Sequence, residues 1–264
     1  MKDLTVTCIQ TELIWENKEA NLKKFETLFQ QIPPEGQVVI LPEMFSTAFS
    51  MSPAPLAETM EGETLNWLKF HSKKLRKIIT GSIIIEENGH YLNRLIWMQP
   101  DGNFYYYDKR HLFGFAGEDN KYTAGKQKVI VQVNGWKINL QICYDLRFPV
   151  WARQTPHSYG EEPSYDVLLY VANWPERRIK AWDTLLAARA IENQCYVVGV
   201  NRIGMDANDI YHDGSSSILD PWGATIWNCK NEEAVFTYTL SAAQLLEARK
   251  KFPFLKDGDR FIIS

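Results

Sequence analysis

Apolar and polar residues alternate in short runs along the chain, and some longer runs show helical spacing. The alternation over residues 4–9 predicts a first strand. After Asn17, a residue type that often caps helices, apolar side chains recur on one helical face until the Pro-Pro-Glu-Gly segment at 33–36. An apolar run at 38–41 follows. The opening unit is therefore predicted to be strand, helix, strand, which favours a sheet with both faces covered.

Similar patterns continue to the end of the chain. Helical spacing predicts helices over 63–77 and 179–193, and Ser241 is expected to cap a last helix that Pro253 ends. With roughly ten or more strands, the periodicity predicts a mixed α/β protein. Further strands are predicted at 78–85, 91–99, 104–108, 128–133, 136–143, 165–171, 197–200, 216–219, 225–227 and 235–240.

The chain has 264 residues, of which 45% are hydrophobic, so it can fill one large core. We therefore expect residues 1–264 to form a single domain. Internal repeats and long linkers are absent from the sequence. The segments 46–55 and 159–164 are predicted to be loops over a site.

The charge balance disfavours a polyanionic partner. The formal net charge is -3 and the isoelectric point is about 6.0, and pairs of basic residues are isolated. A nucleic-acid backbone attracts proteins through clustered positive charge. We therefore predict no nucleic-acid partner.

The start of the chain and the cysteines bear on location. The first residues enter a strand pattern without a basic region and a cleavage site, and no segment approaches the ~20 apolar residues of a membrane span. We therefore expect a cytoplasmic protein with no membrane partner. The four cysteines are irregularly spaced, which indicates neither a disulfide framework nor a zinc site, so no metal is predicted.

Three segments far apart in the sequence each end a β-rich run with a chemically capable residue. These residues are Glu43, Lys109 and Cys143, and strand ends can converge at one edge of a sheet. A thiol needs a base or a positive charge nearby to act as a nucleophile. Glu43 could accept the thiol proton, and Lys109 with the backbone N–H of Tyr144 could stabilise an oxyanion. The trio suits acyl transfer from an amide or nitrile, without a metal or cofactor.

The residues around this trio resemble the signature segments of the carbon-nitrogen hydrolase (nitrilase) superfamily. The resemblance runs from about residue 3 to 252, with the segments in the family's order. Within the superfamily, residues 171–175 and 187–194 are most similar to the omega-amidases, particularly bacterial ones. The three signature segments are Leu-Pro-Glu-Met-Phe at 41–45, Tyr-Asp-Lys-Arg-His-Leu-Phe at 107–113 and Cys-Tyr-Asp-Leu-Arg-Phe-Pro at 143–149.

This resemblance implies a fold, an assembly and residue roles. The fold is a four-layer α-β-β-α sandwich, with two mixed sheets flanked by helices, which forms a homodimer through its helical layer. Cys143 is implied to be the nucleophile, Glu43 the general base and Lys109 the oxyanion stabiliser. Glu118 aligns with a second glutamate that is often found beside these three.

The resemblance also implies hydrolysis of the terminal amide of 2-oxoglutaramate or 2-oxosuccinamate, through a cysteine thioester, to the 2-oxo acid and ammonia. The carboxylate of such a substrate needs a cationic partner. Arg147 is a candidate, with Arg177 and Arg178 as competitors. The alternative for Arg147 is a structural ion pair with Asp145 or Glu192. Substrate contacts are also expected from Tyr144, Trp174 and Phe113.

Three alternatives remain open from the sequence. The substrate could be an N-carbamoyl amine or a nitrile, since pocket residues decide among these. A non-catalytic dimeric binding protein could keep the fold, although it has no need of all three chemical residues. A Cys-His protease would need an imidazole beside the thiol; the five histidines are His71, His90, His111, His157 and His212, and a structural role is favoured for His111.

Overall fold

The structure is a computed structural model that describes residues 1–154, 163–259 and 261–263. Most of the predicted loop at 159–164 lies outside the described residues, and so does His157. Within the described ranges, no helix combines the length and apolar character needed to cross a membrane.

Capping side chains and a left-handed residue mark several of the helix ends. The Asn17 side chain accepts a hydrogen bond from the Ala20 N–H at 3.0 Å, and Ser241 accepts from the Gln244 N–H at 3.3 Å, so both predicted caps are present. The second long helix ends two residues earlier than predicted because Arg76 adopts a left-handed conformation, with φ of 57°. In chain order the helices are α1 (Lys18–Phe29), α2 (Pro53–Leu56), α3 (Glu63–Leu75), α4 (Pro149–Ala152), α5 (Ile179–Asn193) and α6 (Ala242–Lys251).

The described residues form thirteen strands. In chain order these are β1 (Leu4–Gln10), β2 (Val38–Ile40), β3 (Ile78–Glu87), β4 (His90–Met98), β5 (Phe104–Asp108), β6 (Ile130–Val133), β7 (Trp136–Ile142), β8 (Val167–Val171), β9 (Tyr196–Val200), β10 (Ile203–Met205), β11 (Tyr211–Leu219), β12 (Thr225–Lys230) and β13 (Ala234–Leu240).

The strands form two mixed sheets. The six-stranded sheet has the order β13-β1-β2-β3-β4-β5, in which β1, β2 and β3 are parallel. The seven-stranded sheet has the order β10-β11-β9-β8-β7-β6, with β12 paired to β11, and here β7, β8 and β9 are parallel. Each sheet thus has a parallel centre with antiparallel strands beside it.

The alternation of β2 shows how the layers stack. Val38 and Ile40 belong to the cluster between the two sheets, whereas Val39 and Leu41 pack with α1 and α3 on the outer face. On the other side α5 lies so close to β9 that a Cβ at Gly199 would be 2.7 Å from Trp182. The predicted α-β-β-α order of layers is therefore confirmed.

Two details differ from the predicted elements. The helix α2 lies at the end of the predicted loop at 46–55, where prolines in its first turn are compatible with a helix start. The strand predicted at 216–219 begins at Tyr211 and pairs with β10, which was not predicted. The added residues are polar but buried, so hydrophobic alternation gives no signal there.

Candidate active site

Both sheets contribute a residue to one buried group. Glu43 follows β2 and Lys109 follows β5 in the six-stranded sheet, and Cys143 follows β7 in the seven-stranded sheet. The exposed fractions of these residues are 0%, 1% and 9%. The ends of strands from facing sheets therefore bring together a carboxylate, an ammonium group and a thiol.

Lys109 lies between two buried carboxylates. Its Nζ donates to Glu43 Oε1 at 2.9 Å and to the two carboxylate oxygens of Glu118 at 3.1 and 2.9 Å. Glu118 also accepts from the Phe113 N–H at 2.6 Å, which fixes its loop against the group. Lys109 is thus the shared hydrogen-bond donor between Glu43 and Glu118.

Glu43 is held by donors from both sheets. Its Oε1 accepts from Asn93 Nδ2 at 2.8 Å, and its Oε2 accepts from the backbone N–H of Asn173 at 2.8 Å. The side chain of Asn173 donates in turn to the Glu43 carbonyl at 2.5 Å. The carboxylate therefore has little freedom to rotate, and it is near enough to the Cys143 thiol to raise the pKa of that thiol.

Cys143 lies on a sharp turn at the end of β7. Its φ is 44°, a left-handed conformation that is uncommon for a non-glycine residue. Asp145 enforces it here, because its carboxylate accepts from the Ile142 N–H at 3.0 Å. The turn directs the thiol out of the strand and towards Glu43.

Burial and charge set the protonation state of the group. Burial and the negative charge of Glu43 raise the pKa of Cys143 well above its ordinary value, although Lys109 opposes this. Burial alone would lower the pKa of Lys109, but Glu118 and Glu43 reverse this effect and raise it. Burial also raises the pKa of Glu118. The resting group thus has a neutral thiol and a charged lysine.

A cavity of about 400 Å³ opens onto Cys143 and Lys109. This volume suits a small molecule. Four residues predicted to contact substrate line it: Phe113, Tyr144, Arg147 and Trp174. The rings of Phe113 and Tyr144 have centroids 5.0 Å apart and form one apolar wall.

All three candidate arginines line this cavity. The guanidinium of Arg147 lies 4.9 Å from the centroid of Trp174, and that of Arg178 lies 5.0 Å from the centroid of Phe113. Burial and the neighbouring Arg177 lower the pKa of Arg178. Within the part of the chain that the structure describes, none of the three forms an ion pair. The cavity therefore contains a cluster of positive charge that no described carboxylate pairs directly, although Asp206 also lines the cavity.

The alternative role for Arg147 does not match the structure. Its two expected partners are otherwise engaged, because Asp145 accepts hydrogen bonds from Tyr107 and His111, and Glu192 accepts from Arg189. Arg147 is instead free to face the cavity. The bond of His111 to Asp145, at 2.7 Å, gives that histidine the structural role expected of it.

Several residues of the site were not predicted. Asn93 and the backbone of Asn173 have no local motif, although a polar residue between Leu92 and the apolar run that begins at Leu95 is a signal that could have drawn attention to Asn93. Phe49, from the predicted loop at 46–55, lies 5.0 Å from Lys109 Nζ. The turn between β10 and β11 adds the lining residues Asp206, Asn208 and Ile210, and the start of β11 adds His212.

The comparisons with known proteins agree with this architecture. A model of the carbon-nitrogen hydrolase family matches residues 5–250, and the chain belongs to this family. A Xanthomonas campestris structure of a carbon-nitrogen hydrolase superfamily protein, with an arsenic adduct in its active site, superposes with a TM-score of 0.97. That protein is 41% identical, and the match covers 100% of both chains.

Two relatives have named activities. An omega-amidase from Yersinia enterocolitica, named YafV, is 43% identical over 264 residues, with 100% of both chains covered. A 2-oxoglutaramate amidase from Bacillus subtilis is 30% identical over 256 residues, with 96% of both chains covered. The chain is therefore similar over almost its whole length to amide hydrolases of this family.

Proposed function

We propose that this protein is an omega-amidase, which hydrolyses the terminal amide of 2-oxoglutaramate or 2-oxosuccinamate to the 2-oxo acid and ammonia. The observation that carries this proposal is the placement of the Cys143 thiol. It lies near the Glu43 carboxylate and the Lys109 ammonium group, in a cavity that is also lined by three arginines with no ion pair among the described residues. The full-length similarity to an omega-amidase and to a 2-oxoglutaramate amidase supports the same substrate class.

In the first half of the proposed cycle, Cys143 attacks the amide carbon. Because the thiol is neutral at rest, its proton passes to Glu43 as the carbon–sulfur bond forms. Negative charge then develops on the amide oxygen, and the positive charge of Lys109 and the backbone N–H of Tyr144 stabilise it. Glu43 gives the proton to the leaving nitrogen, so ammonia departs and a thioester remains on Cys143.

In the second half, water replaces ammonia. Glu43, again ionised, takes a proton from the water as its oxygen attacks the thioester carbon. The tetrahedral intermediate collapses with loss of the Cys143 sulfur, which regains its proton from Glu43. The products are the 2-oxo acid and the free enzyme, and protons and charge balance without any cofactor.

The arginines provide the basis for substrate recognition. A buried carboxylate needs a compensating charge, and guanidinium groups bind carboxylates with two parallel hydrogen bonds. We favour Arg147 and Arg178, whose guanidinium groups lie over the rings of Trp174 and Phe113. A short 2-oxo acid amide would place its carboxylate near them and its amide at Cys143.

The test is an assay of ammonia release from 2-oxoglutaramate and 2-oxosuccinamate, with the Cys143→Ala variant beside the wild type. Turnover that disappears in the variant supports the proposal. A second free cysteine, Cys229, provides a matched control, and Cys229→Ala should keep its activity. Ammonia released only from nitriles, or together with carbon dioxide from N-carbamoyl amines, would instead favour another reaction of the family.

We also propose that residues 1–264 form one domain and that two copies form a homodimer through the helical layer. One core cluster extends from Leu4 to Leu245, which supports a single domain. Ile191 of α5 and Leu246 of α6 are apolar and are 50% and 57% exposed, which supports pairing through these helices. Light scattering of the wild type and of Leu246→Asp, which should be monomeric, tests the assembly.

A cytoplasmic location is proposed as well. Cys8, Cys143, Cys195 and Cys229 are all free thiols, which suits a reducing compartment. Fractionation of cells that express the tagged protein tests this proposal, and recovery with a periplasmic or membrane fraction would contradict it.

A further inference from the structure

Asn93 is a polar residue within the strand β4. Its side chain is 1% exposed, and it does not line the cavity. The amide nitrogen lies 2.8 Å from Glu43 Oε1 and 3.4 Å from Glu118 Oε1. One amide group therefore bridges the two carboxylates that flank Lys109.

The orientation of this amide is determined by its neighbours. If the amide were turned over, its oxygen would face two carboxylate oxygens and repel them. In the observed orientation Asn93 Oδ1 is buried and has no hydrogen-bond partner among the described residues. An unpaired buried carbonyl costs free energy. The residue is therefore poorly suited to a purely structural role and well suited to delivering N–H groups to the carboxylates.

The backbone of the same residue reaches the third member of the group. The carbonyl oxygen of Asn93 accepts a hydrogen bond from the backbone N–H of Lys109 at 3.0 Å. Glu43, Lys109 and Glu118 lie on three separate segments, and Asn93 contacts each of them. A single strand residue thus sets their spacing.

We propose that Asn93 is a positioning residue that keeps the Glu43 carboxylate directed at the Cys143 thiol. It does this by holding Glu43 and Glu118 apart on two sides of Lys109. Without the amide, Lys109 is the one remaining side-chain donor to Glu43 Oε1 among the described residues. The inference rests on the proposed function in that it assigns Glu43 the role of base for the thiol.

The test compares Asn93→Ala, which removes the N–H groups, with Asn93→Asp, which keeps the size and replaces donors by acceptors. A positioning role predicts that Asp is the worse substitution, whereas a packing role predicts that Ala is. We expect kcat to fall about tenfold in Asn93→Ala and about 100-fold in Asn93→Asp. KM should change less than about threefold, because the residue does not touch the cavity.

A matched control distinguishes positioning from a loss of stability. Asn193 is also fully buried. Its side-chain amide donates a hydrogen bond to the Arg189 carbonyl and accepts one from the Gln154 backbone N–H. Asn193→Ala should lower the melting temperature and leave kcat within about twofold of the wild type. If Asn93→Asp keeps more activity than Asn93→Ala, or if kcat of all three variants simply follows melting temperature, the inference is wrong.

A second measurement needs no substrate. Iodoacetamide alkylates Cys143 at a rate that depends on proton removal from the thiol, and mass spectrometry identifies the modified residue. We expect alkylation to slow from wild type to Asn93→Ala to Asn93→Asp. If the alkylation rates follow this order but the wild type hydrolyses no 2-oxo acid amide, the positioning role of Asn93 is supported and the proposed substrate is wrong. Equal alkylation rates in all three proteins would overturn the positioning role itself.

Discussion

The hydroxyl group of Tyr107 donates a hydrogen bond of 2.7 Å to the Oδ2 atom of Asp145, and this bond links the two segments that carry Lys109 and Cys143. Tyr107 is the last buried residue of β5 before Lys109, and Asp145 lies in the turn that begins at Cys143. The other oxygen, Oδ1, accepts hydrogen bonds from the backbone N–H and from the ring Nδ1 of His111. Asp145 therefore fixes the distance between the lysine and the thiol without touching either side chain.

We expect Tyr107→Phe to lower the free energy of unfolding by about 1–3 kcal/mol, because it removes one donor to a buried carboxylate. It also removes the acceptor of the Trp151 indole N–H, at 3.0 Å. Urea denaturation measures the change. Tyr105→Phe, on the same strand but 53% exposed, should change stability by less than about 0.5 kcal/mol. Equal effects of the two substitutions would contradict this role for the Tyr107 hydroxyl.

Lys109→Met should destabilise the protein by about 3–5 kcal/mol, because it leaves two buried carboxylates without their shared cation. Adding Glu118→Gln removes one of these charges, so the double variant should be more stable than Lys109→Met alone. Denaturant unfolding of Lys109→Met, of Glu118→Gln and of the double variant gives the coupling free energy between the two residues. Strict additivity would mean that Lys109 and Glu118 do not interact energetically. All three variants should be inactive or nearly so.

Arg147→Met and Arg178→Met should each lower kcat/KM for 2-oxoglutaramate about 10–100-fold, mainly through KM, since each removes a charge that would pair with the substrate carboxylate. Butanamide has no carboxylate and provides the control. Its much weaker turnover should change less than about threefold in both variants. Parallel losses for both amides would indicate damage to the cavity rather than loss of carboxylate recognition.

His212 makes stability depend on pH. Burial, with a further contribution from Arg202, lowers the pKa of His212 to about 4. Between about pH 6.5 and 4 the unfolded chain binds a proton that the folded protein does not, so stability falls as pH falls through this window. The loss from this residue reaches about 3 kcal/mol at pH 4.

Urea denaturation at pH 7 and at pH 5 measures this effect. The His212→Gln variant should lose less stability over this range than the wild type, whereas substitution of the exposed His90 should leave the slope unchanged. An identical pH dependence in His212→Gln would show that other groups account for the loss.

The sequence predicted long, regular elements well. The helix at 179–193 agrees with α5 at both ends, and the capping roles of Asn17 and Ser241 are confirmed. The family resemblance and the two-sheet fold are also confirmed. Short or polar elements were missed for physical reasons: β10 has three residues, and the first half of β11 buries polar side chains that do not alternate with apolar ones.

The candidate site could be predicted only in part. Motifs with recognisable flanks identified Glu43, Lys109, Cys143 and Glu118 as a set, and the structure places them in contact. Asn93 escaped prediction because its partners are 50 and 25 residues away, and a lone asparagine in a strand has no local pattern. The turn between β10 and β11 was missed for a similar reason, because only tertiary folding brings it to the cavity.

Because the site takes residues from both sheets, catalysis is sensitive to the relative position of the two sheets. Glu43 belongs to one sheet, and the Asn173 backbone that holds it belongs to the other, 2.8 Å away. A slip of about 1 Å between the layers would leave each sheet's own ladder intact and still misalign the base and the thiol. On gentle heating, turnover should therefore decrease before the spectroscopic signals of the β-sheets do. Loss of activity would then be the first measurable sign that the packing between the two sheets has loosened.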